Sequence, residues 1–251
     1  KFDIPLPATE AEQRAIATAL SDVGALLGSL DALIAKKKAI KQGAMQQLLT
    51  GKQRLPGFKG EWEVKRLGDL LRFQVGFPFS SAHFNEKGNG IRLVKNRDLK
   101  ADDQPFHYSG PFDKSFLISD GDVLIGMDGD FLPCRWQKGE ALLNQRVGRL
   151  VITGAADKTF LYYYLLEPLK EIESITSSTT VKHLSHGDVE GIMKPLPSLP
   201  EQTAIATVLS DMDAEISALV ARRAKTALLK QGMMQELLTG RTRLSNTSSN
   251  D

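Results

Sequence analysis

The sequence predicts an α+β protein in which one mixed α/β domain is flanked by two long helices that form an antiparallel coiled coil. One helical segment occurs twice, near the two ends of the chain. The apolar residues of both copies follow a heptad. Short apolar runs bounded by Gly, Asp and Asn, typical of strands, lie between the copies. We therefore expect helical spacers at 1–55 and 195–244, a domain at 56–194 and a disordered tail at 245–251.

The internal repeat organises the chain. PLPATEAEQRAIATALSD (Pro5–Asp22) recurs as PLPSLPEQTAIATVLSD (Pro195–Asp211), and IKQGAMQQLLTGKQRL (Ile40–Leu55) recurs as LKQGMMQELLTGRTRL (Leu229–Leu244). Beyond one residue of difference in the first loop, the second copy follows the first by 189 positions throughout. A fixed offset over this length indicates a true repeat.

Each copy has the signals of one long helix. A proline and a capping hydroxyl stand before each copy, and a glycine stands after it: Pro7, Thr9 and Gly51, then Pro197, Ser198 and Gly240. About 40 residues at 1.5 Å per residue correspond to a helix of roughly 60 Å.

Apolar residues in steps of three and four form one stripe along each copy, which predicts that the two helices pair. The predicted pairing residues are Ile16, Leu20, Val23, Leu27, Leu30 and Ile34 in the first copy, and Ile205, Leu209, Met212, Ile216 and Leu219 in the second.

Basic residues are concentrated in the second half of each copy. Residues 36–54 contain six basic and no acidic side chains, and residues 222–243 contain six basic side chains and Glu236. In an antiparallel pair they lie beside the acidic first half of the other copy, so we favour interhelical ion pairing. Direct contact with DNA phosphates stays open.

Gly43 and Gly232 stand at equivalent places inside the helices. A helical glycine costs about 1 kcal/mol relative to alanine. We expect a close helix crossing or a kink there, with a tolerant surface position as the alternative.

The domain between the copies reads as strands followed by a helix. The strand-like runs are EVKRLGDLLRFQVGFPF, GIRLVKNRDL, GDVLIGMDG and QRVGRLVIT. KTFLYYYLLEPLKEIESI predicts a helix that Pro168 bends or breaks.

Several classes of protein are not indicated. No uninterrupted apolar run approaches the 18 or so residues of a membrane span, and Cys134 is the only cysteine. There is no nucleotide-binding glycine motif and no local signature of a nucleophilic triad. His183 with His186, and Asp128 with Asp130, lack the further ligands of a metal site. We expect a cytoplasmic chain without catalysis, metal or membrane contact.

Groups able to contact bases and phosphates recur in the loops of the domain. The candidates for DNA binding from side-chain chemistry are Gly76, Phe77, Ser80, Ser81, Lys95, Asn96, Arg97, Asn144, Gln145, Arg146, Thr179, Thr180, Lys182 and His183. Each of these has an ordinary alternative in turn chemistry or a polar surface, and Phe77 or Phe79 fits a core position better.

The motifs together resemble a known family. The PLPxxxEQxxI opening, the KQGMMQELLTGR ending and the order VGFPFSS, GIRLVKNRDL, GDVLIGMDG, LLNQRVGRL, HLSHGDVEGI are similar to the specificity subunit of type I restriction–modification systems. The resemblance covers nearly the whole chain, and its specific part is the helical motifs.

The resemblance implies two target-recognition domains, each reading half of a bipartite DNA site, spaced by two paired helical regions. It implies methyltransferase (modification) subunits and a restriction/motor subunit as partners, with S-adenosylmethionine, ATP and Mg²⁺ used by those partners and no cofactor in this chain. Here there is one recognition domain, at 56–194. We expect this chain to begin within a longer protein, or to be a half-subunit that pairs as a homodimer through the helices.

The resemblance implies that five loops form the DNA face, at 76–81, 95–97, 127–130, 144–146 and 179–183, which adds Met127, Asp128 and Asp130 to the candidates. Roles at single residues are hypotheses from side-chain chemistry. Arg97 and Arg146 suit guanine readout, and Lys182 suits a phosphate contact. Two other functions stay open: a coiled-coil protein-interaction adaptor that never touches DNA, and the specificity subunit of a related system with a fused or two-subunit cutting enzyme.

Overall fold

The computed structural model describes Pro7 and residues 9–101, 103–175 and 182–244. The chain divides into two compact units, one formed by Lys1–Met45 with Val208–Asp251 and the other by Gln46–Thr207. We call them the helical unit and the central unit. The tail at 245–251 lies outside the described residues, so its expected disorder stays a prediction.

Two long helices occur where the repeat predicts them. Helix α1 spans Glu10–Leu48 and helix α5 spans Leu199–Leu238. The Thr9 hydroxyl accepts a hydrogen bond from the Glu12 amide at 3.2 Å, as an N-cap should. Gly51 and Gly240 follow the last turns with φ of 70°, a conformation that favours glycine.

Within the helical unit, ion pairs show that α1 and α5 pack antiparallel. Residue numbers fall along α5 and the segment after it as they rise along α1, in the pairs Glu12–Arg243, Asp31–Arg223, Lys37–Glu215 and Lys41–Asp213. Several basic side chains of the second halves are therefore engaged with acids of the other helix. The predicted α+β fold class, with packed terminal helices, is confirmed.

The ion pair between Glu12 and Arg243 has an equivalent between the corresponding residues of the two copies of the repeat. Arg243 Nε lies 2.6 Å from Glu12 Oε1, and its guanidinium holds the pKa of that carboxyl below its ordinary value through a hydrogen bond. The equivalent residues, 189 positions away, make the same bidentate pair in the central unit: Arg54 and Glu201. The repeat therefore preserves a contact as well as a sequence.

All eleven predicted pairing residues are buried or half-buried. The buried ones are Ile16, Leu30, Ile34, Ile205, Leu209 and Ile216. Their burial is what the heptad leads us to expect, although their roles as pairing residues stay predictions.

An 18-residue stretch of α1 has the composition of a membrane span, with a mean hydropathy of 1.4 and at most two charged side chains. Charged residues interrupt this stretch, so the expectation based on uninterrupted apolar runs did not include it. One such helix is weak evidence, because the core helix of a soluble protein and a signal sequence have the same composition; 11% of this stretch is buried within the chain. Here Ile16 and Leu30 are buried, and Asp31 pairs with Arg223.

The close crossing expected at Gly43 and Gly232 is wrong. A Cβ atom built on either glycine would meet nothing within 4 Å. Both positions are in open space, as the alternative of a tolerant surface position proposed.

Replacing Gly43 and Gly232 together by alanine should therefore stabilise the chain by about 0.5–1 kcal/mol per site, because alanine loses less backbone entropy in a helix. The free energy of unfolding from denaturant titration measures this. Gly240→Ala is the matched control: it has equal space but a φ of 70°, so it should destabilise. Lower stability of the double variant would instead support a close helix crossing at these glycines.

Among its described residues, the central unit contains three sheets built from eleven short strands. The strands are β1 (Glu63–Arg66), β2 (Leu71–Val75), β3 (Phe84–Asn85), β4 (Ile91–Val94), β5 (Phe106–Tyr108), β6 (Leu117–Ile118), β7 (Val123–Gly126), β8 (Pro133–Arg135), β9 (Ala141–Leu143), β10 (Val147–Ile152) and β11 (Met193–Leu196). The sheet orders are β1-β11, β2-β10-β7-β8 and β3-β5-β4-β9-β6.

The two larger sheets share the apolar core of the unit. One cluster includes Leu124 of β7, Val94 of β4 and the fully buried Trp136. Pairing is antiparallel except between β4 and β9, which run parallel. Strand β1 pairs with β11, so the first and last strands of the unit lie side by side.

Three short helices complete the unit: α2 (Lys158–Tyr164), α3 (Leu166–Ile175) and α4 (His186–Glu190). The predicted break is present, but it falls at Leu165. Pro168 lies in the first turn of α3, where its missing amide donor costs nothing.

Candidate nucleic-acid interface

The loop at 144–146, between β9 and β10, lies at the centre of the predicted DNA-binding segments. On one side, the Phe77 amide donates to the Leu143 carbonyl at 2.9 Å, and the Gln145 amide donates to the Phe77 carbonyl at 3.1 Å. The Asn144 amide donates to the Val94 carbonyl at 3.3 Å, directly before the loop that begins at Lys95. Two predicted segments that are distant in sequence therefore adjoin this loop.

The loop after β7 adjoins it from another side. The Met127 amide donates to the Arg146 carbonyl at 3.0 Å, and the Leu184 amide donates to the Met127 carbonyl at 2.8 Å. The Asn96 side-chain amide donates to the Asp128 carbonyl at 2.7 Å. The described parts of the five candidate segments (76–81, 95–97, 127–130, 144–146 and, of 179–183, Lys182 and His183) thus adjoin one another, and we call the surface that they form the loop surface.

Gly76 allows a close approach between two backbone segments of the loop surface. A Cβ atom there would lie 2.2 Å from the Asn144 carbonyl oxygen and 2.4 Å from that of Leu143. Real Cβ atoms do not come this close to backbone oxygens, so only glycine lets the segment after β2 close on the 144–146 loop.

Arg146 presents the most available guanidinium of the loop surface. Its side chain is 54% exposed, and Nη1 donates to Asp128 Oδ1 at 3.3 Å. Nε and Nη2 have no hydrogen-bond partner among the described residues. Two adjacent donors match the two major-groove acceptors of guanine.

His183 shares the same carboxylate. Its Nδ1 lies 2.9 Å from Asp128 Oδ1 and donates to it, and it lies 3.5 Å from Arg146 Nη1. With Nδ1 engaged as the donor, the neutral ring keeps Nε2 as an acceptor. His183 therefore pairs with a carboxylate, and His186 begins α4. The structure shows no cluster of three metal-binding side chains within the described ranges.

Arg97 is less available than Arg146. Its Nη1 and Nη2 donate to the side chain and the backbone of Gln104 at 3.2 and 3.1 Å, and its Nε lies 3.5 Å from Asp98. Reading a base would require these contacts to break. Of the two arginines predicted for guanine readout, the geometry favours Arg146.

Lys95 lies against aromatic rings. Its ammonium lies 3.3 Å from the ring centroid of Phe106 and 4.9 Å from that of Phe84. Burial lowers the pKa of this ammonium, with a further lowering from the charge of Arg97. A cation held this way is less suited to a phosphate contact than a fully hydrated lysine.

Most other cations of the loop surface are paired with acids. Lys182 lies 3.6 Å from Glu173, and Lys100 lies 2.5 Å from Asp130, where the lysine lowers the pKa of the carboxyl through its hydrogen bond. The surface is therefore close to balanced in charge. Any selectivity for DNA must come from placed donors and acceptors.

Met127 and Phe77 differ from expectation. Met127 is 3% exposed, so its side chain belongs to the core and only its backbone contributes to the loop surface. Phe77 is 45% exposed and contacts Phe116 at 5.2 Å between ring centroids. The core assignment considered for Phe77 is wrong, whereas it holds for Phe79, which is buried.

The remaining candidates are placed as follows. Ser80, Ser81 and Gln145 are exposed, and Asn144 is half-buried. Thr179 and Thr180 lie outside the described residues. Lys100, Gln104 and Glu173 were not predicted, although each contacts a predicted residue. Lys100 could have been suspected, because it follows Arg97 in the same loop.

Comparison with known proteins decides the family. Residues 59–228 match the family described as the type I restriction modification DNA specificity domain. This chain belongs to that family. The match, which covers the central domain and part of α5, confirms the resemblance to this family.

Named relatives agree with the family. The chain is 34% identical over 185 residues to the Type I restriction enzyme EcoBI specificity subunit of Escherichia coli, a match that covers 72% of this chain and 39% of that protein. It is 28% identical over 270 residues to the MjaVIII specificity subunit of Methanocaldococcus jannaschii, covering 97% and 63%. The chain thus spans less than two thirds of the length of these relatives.

Solved structures share the fold. The S subunit of a type I restriction–modification system from M. genitalium superposes with a TM-score of 0.65 at 17% identity, covering 94% of this chain and 63% of that one. The HsdS subunit from Thermoanaerobacter tengcongensis superposes with a TM-score of 0.54 at 22% identity, covering 95% and 61%. At these identities the likeness shows the fold alone.

Proposed function

We propose that this chain recognises DNA sequence for a type I restriction–modification enzyme, reading one half of a bipartite site through a recognition domain at 56–194, and that it has no catalytic activity. The observation that carries the proposal is the loop surface. Five segments that the sequence marks for DNA contact adjoin one another, and Arg146 presents two adjacent donors there. Family membership supports the same function.

Methyltransferase and restriction/motor subunits are the proposed protein partners, and they would supply the chemistry with S-adenosylmethionine, ATP and Mg²⁺ in the cytoplasm. A feature of the helical unit supports docking. Leu26, Leu33 and Ile40 are exposed and spaced by seven residues on α1, so they form an apolar stripe on one helix face. This stripe would also suit a homodimer or the adaptor function considered above.

Selection from a pool of random DNA duplexes tests the proposal. The full chain, alone and together with its methyltransferase partner, should enrich one short sequence, because placed donors and acceptors distinguish base pairs. The chain alone should neither transfer methyl groups nor cleave DNA. Failure to enrich any sequence in either setting would favour the adaptor, and methyl transfer by the chain alone would contradict the non-catalytic role.

A further inference from the structure

An acidic side chain lies among the most available donors of the loop surface. Asp128, Arg146 and His183, which we call the Asp128 cluster, come from three separate chain segments. Their backbones are tied together: Asp128 and His183 form an antiparallel bridge, and the Met127 amide donates to the Arg146 carbonyl at 3.0 Å. Asn96 also holds the Asp128 carbonyl. The cluster is therefore fixed before any ligand binds.

One carboxylate oxygen sets the position of both other side chains. Asp128 Oδ1 accepts from His183 Nδ1 at 2.9 Å and from Arg146 Nη1 at 3.3 Å. Asp128 itself is half-buried, whereas the side chains of Arg146 and His183 are exposed by about half. The carboxylate therefore lies behind the two groups that reach solvent.

A carboxylate at this place is unfavourable for simple attraction to DNA. Phosphate charge dominates the affinity of proteins for DNA of any sequence, and a nearby negative charge opposes it. Asp128 also neutralises part of the charge of Arg146. A surface that maximised affinity alone would not carry this residue.

Asp128 compensates for this lower affinity by ordering the Arg146 side chain. A free arginine side chain samples many rotamers, and binding to a base edge must overcome the loss of this conformational entropy. Asp128 removes part of that freedom in advance, because it holds Nη1 while Nε and Nη2 stay available. A guanidinium held in one orientation can bond both major-groove acceptors of guanine and fits other base edges poorly. A mobile arginine can also contact phosphates, which carry no sequence information.

We infer that Asp128 is a positioning residue of the recognition surface, which raises discrimination between DNA sequences and at the same time lowers affinity for DNA in general. The inference rests on the DNA-recognition function proposed above. It differs from a structural role for Asp128, since loss of a structural contact would weaken binding to every duplex.

The test compares Asp128→Ala and Asp128→Asn in the full chain. Dissociation constants are measured at one salt concentration for the duplex that the wild type selects and for a scrambled duplex. Both variants should bind the scrambled duplex about 2–5-fold more tightly, as loss of one negative charge predicts. The dissociation constant for the scrambled duplex divided by that for the selected duplex should fall by about 3- to 30-fold for alanine, because the freed arginine regains part or all of its rotamer entropy. It should fall less for asparagine, whose carbonyl oxygen still accepts hydrogen bonds.

Glu171→Gln is the control, because it removes one exposed negative charge that pairs with Lys194, and neither residue is a predicted DNA contact. It should leave the ratio unchanged. Thermal unfolding checks that each variant folds, and the isosteric Asp128→Asn decides the matter if the alanine variant does not.

If Asp128→Asn weakens binding to both duplexes by the same factor, the inference is overturned. It is also overturned if the ratio of the two dissociation constants does not change. If the wild type selects no sequence at all, the proposed function fails and this inference fails with it. Selection by the wild type together with an unchanged variant ratio would overturn the positioning role alone.

Discussion

Replacing Arg146 by alanine is expected to remove about 1–3 kcal/mol of discrimination at one or two base pairs, a factor of about 5 to 150. The reason is that Nε and Nη2 of this arginine have no partner among the described residues, while its Nη1 is held by Asp128. Selection with the variant should return the wild-type sequence with those base pairs degenerate. Competition binding between the selected duplex and single-base variants gives the magnitude.

Arg97→Ala is the matched control for this experiment. Its guanidinium is already bonded to Gln104 and lies beside Asp98, so its loss should alter the selected sequence less than the loss of Arg146 does. If Arg146→Ala weakens binding to all sequences equally, Arg146 is a phosphate contact and the base-reading role is wrong. If Arg97→Ala degrades the selected sequence more, the order of the two arginines is reversed.

Replacing Leu30 by lysine is expected to disrupt the packing of α1 on α5. Leu30 is 4% exposed, so the change removes the burial of a whole leucine side chain, about 1.5–3 kcal/mol. It also places an unpaired ammonium in an apolar contact, which adds to the cost. Denaturant unfolding of the full chain followed by circular dichroism should show a lower midpoint and an early loss of helical signal.

Leu26→Lys, one turn earlier on α1, provides the comparison. Leu26 is 41% exposed, so a lysine there keeps its ammonium in water and should change stability by less than about 0.5 kcal/mol. It also removes part of the proposed docking stripe, so it should weaken assembly with the methyltransferase partner. Equal destabilisation by the two variants would contradict the burial of Leu30 between the helices.

The long-range pairing of the helices could be predicted because the signal is repeated and periodic. Glu12 and Glu201 occupy equivalent positions, as do Arg54 and Arg243, and the structure pairs each acid with the arginine of the other copy. An antiparallel arrangement is the one that brings these equivalents together. The local sequence pattern and the global fold agree here, and this agreement allows the pairing to be predicted from the sequence.

The state of each candidate DNA contact could not be predicted in the same way. Arg97 and Arg146 look alike in the sequence. In the structure, Gln104 accepts hydrogen bonds from the Arg97 guanidinium, whereas among the described residues only Nη1 of Arg146 is engaged, by Asp128. Gly43 suggested a close crossing because a helical glycine is costly, yet only the surrounding atoms show that its position is in open space. These outcomes depend on neighbours that are distant in the chain.

By itself, the sequence determined the two helices, their antiparallel pairing and the family, and it predicted five segments as candidates for DNA contact. The tertiary structure decided that those segments adjoin one another, that Met127 is buried while Phe77 is exposed, and that Asp128 holds Arg146 and His183. The physical reason is that helix pairing follows a period that each segment carries within itself. A loop surface arises from hydrogen bonds between segments separated by tens of residues, and no local pattern encodes which partner each side chain meets.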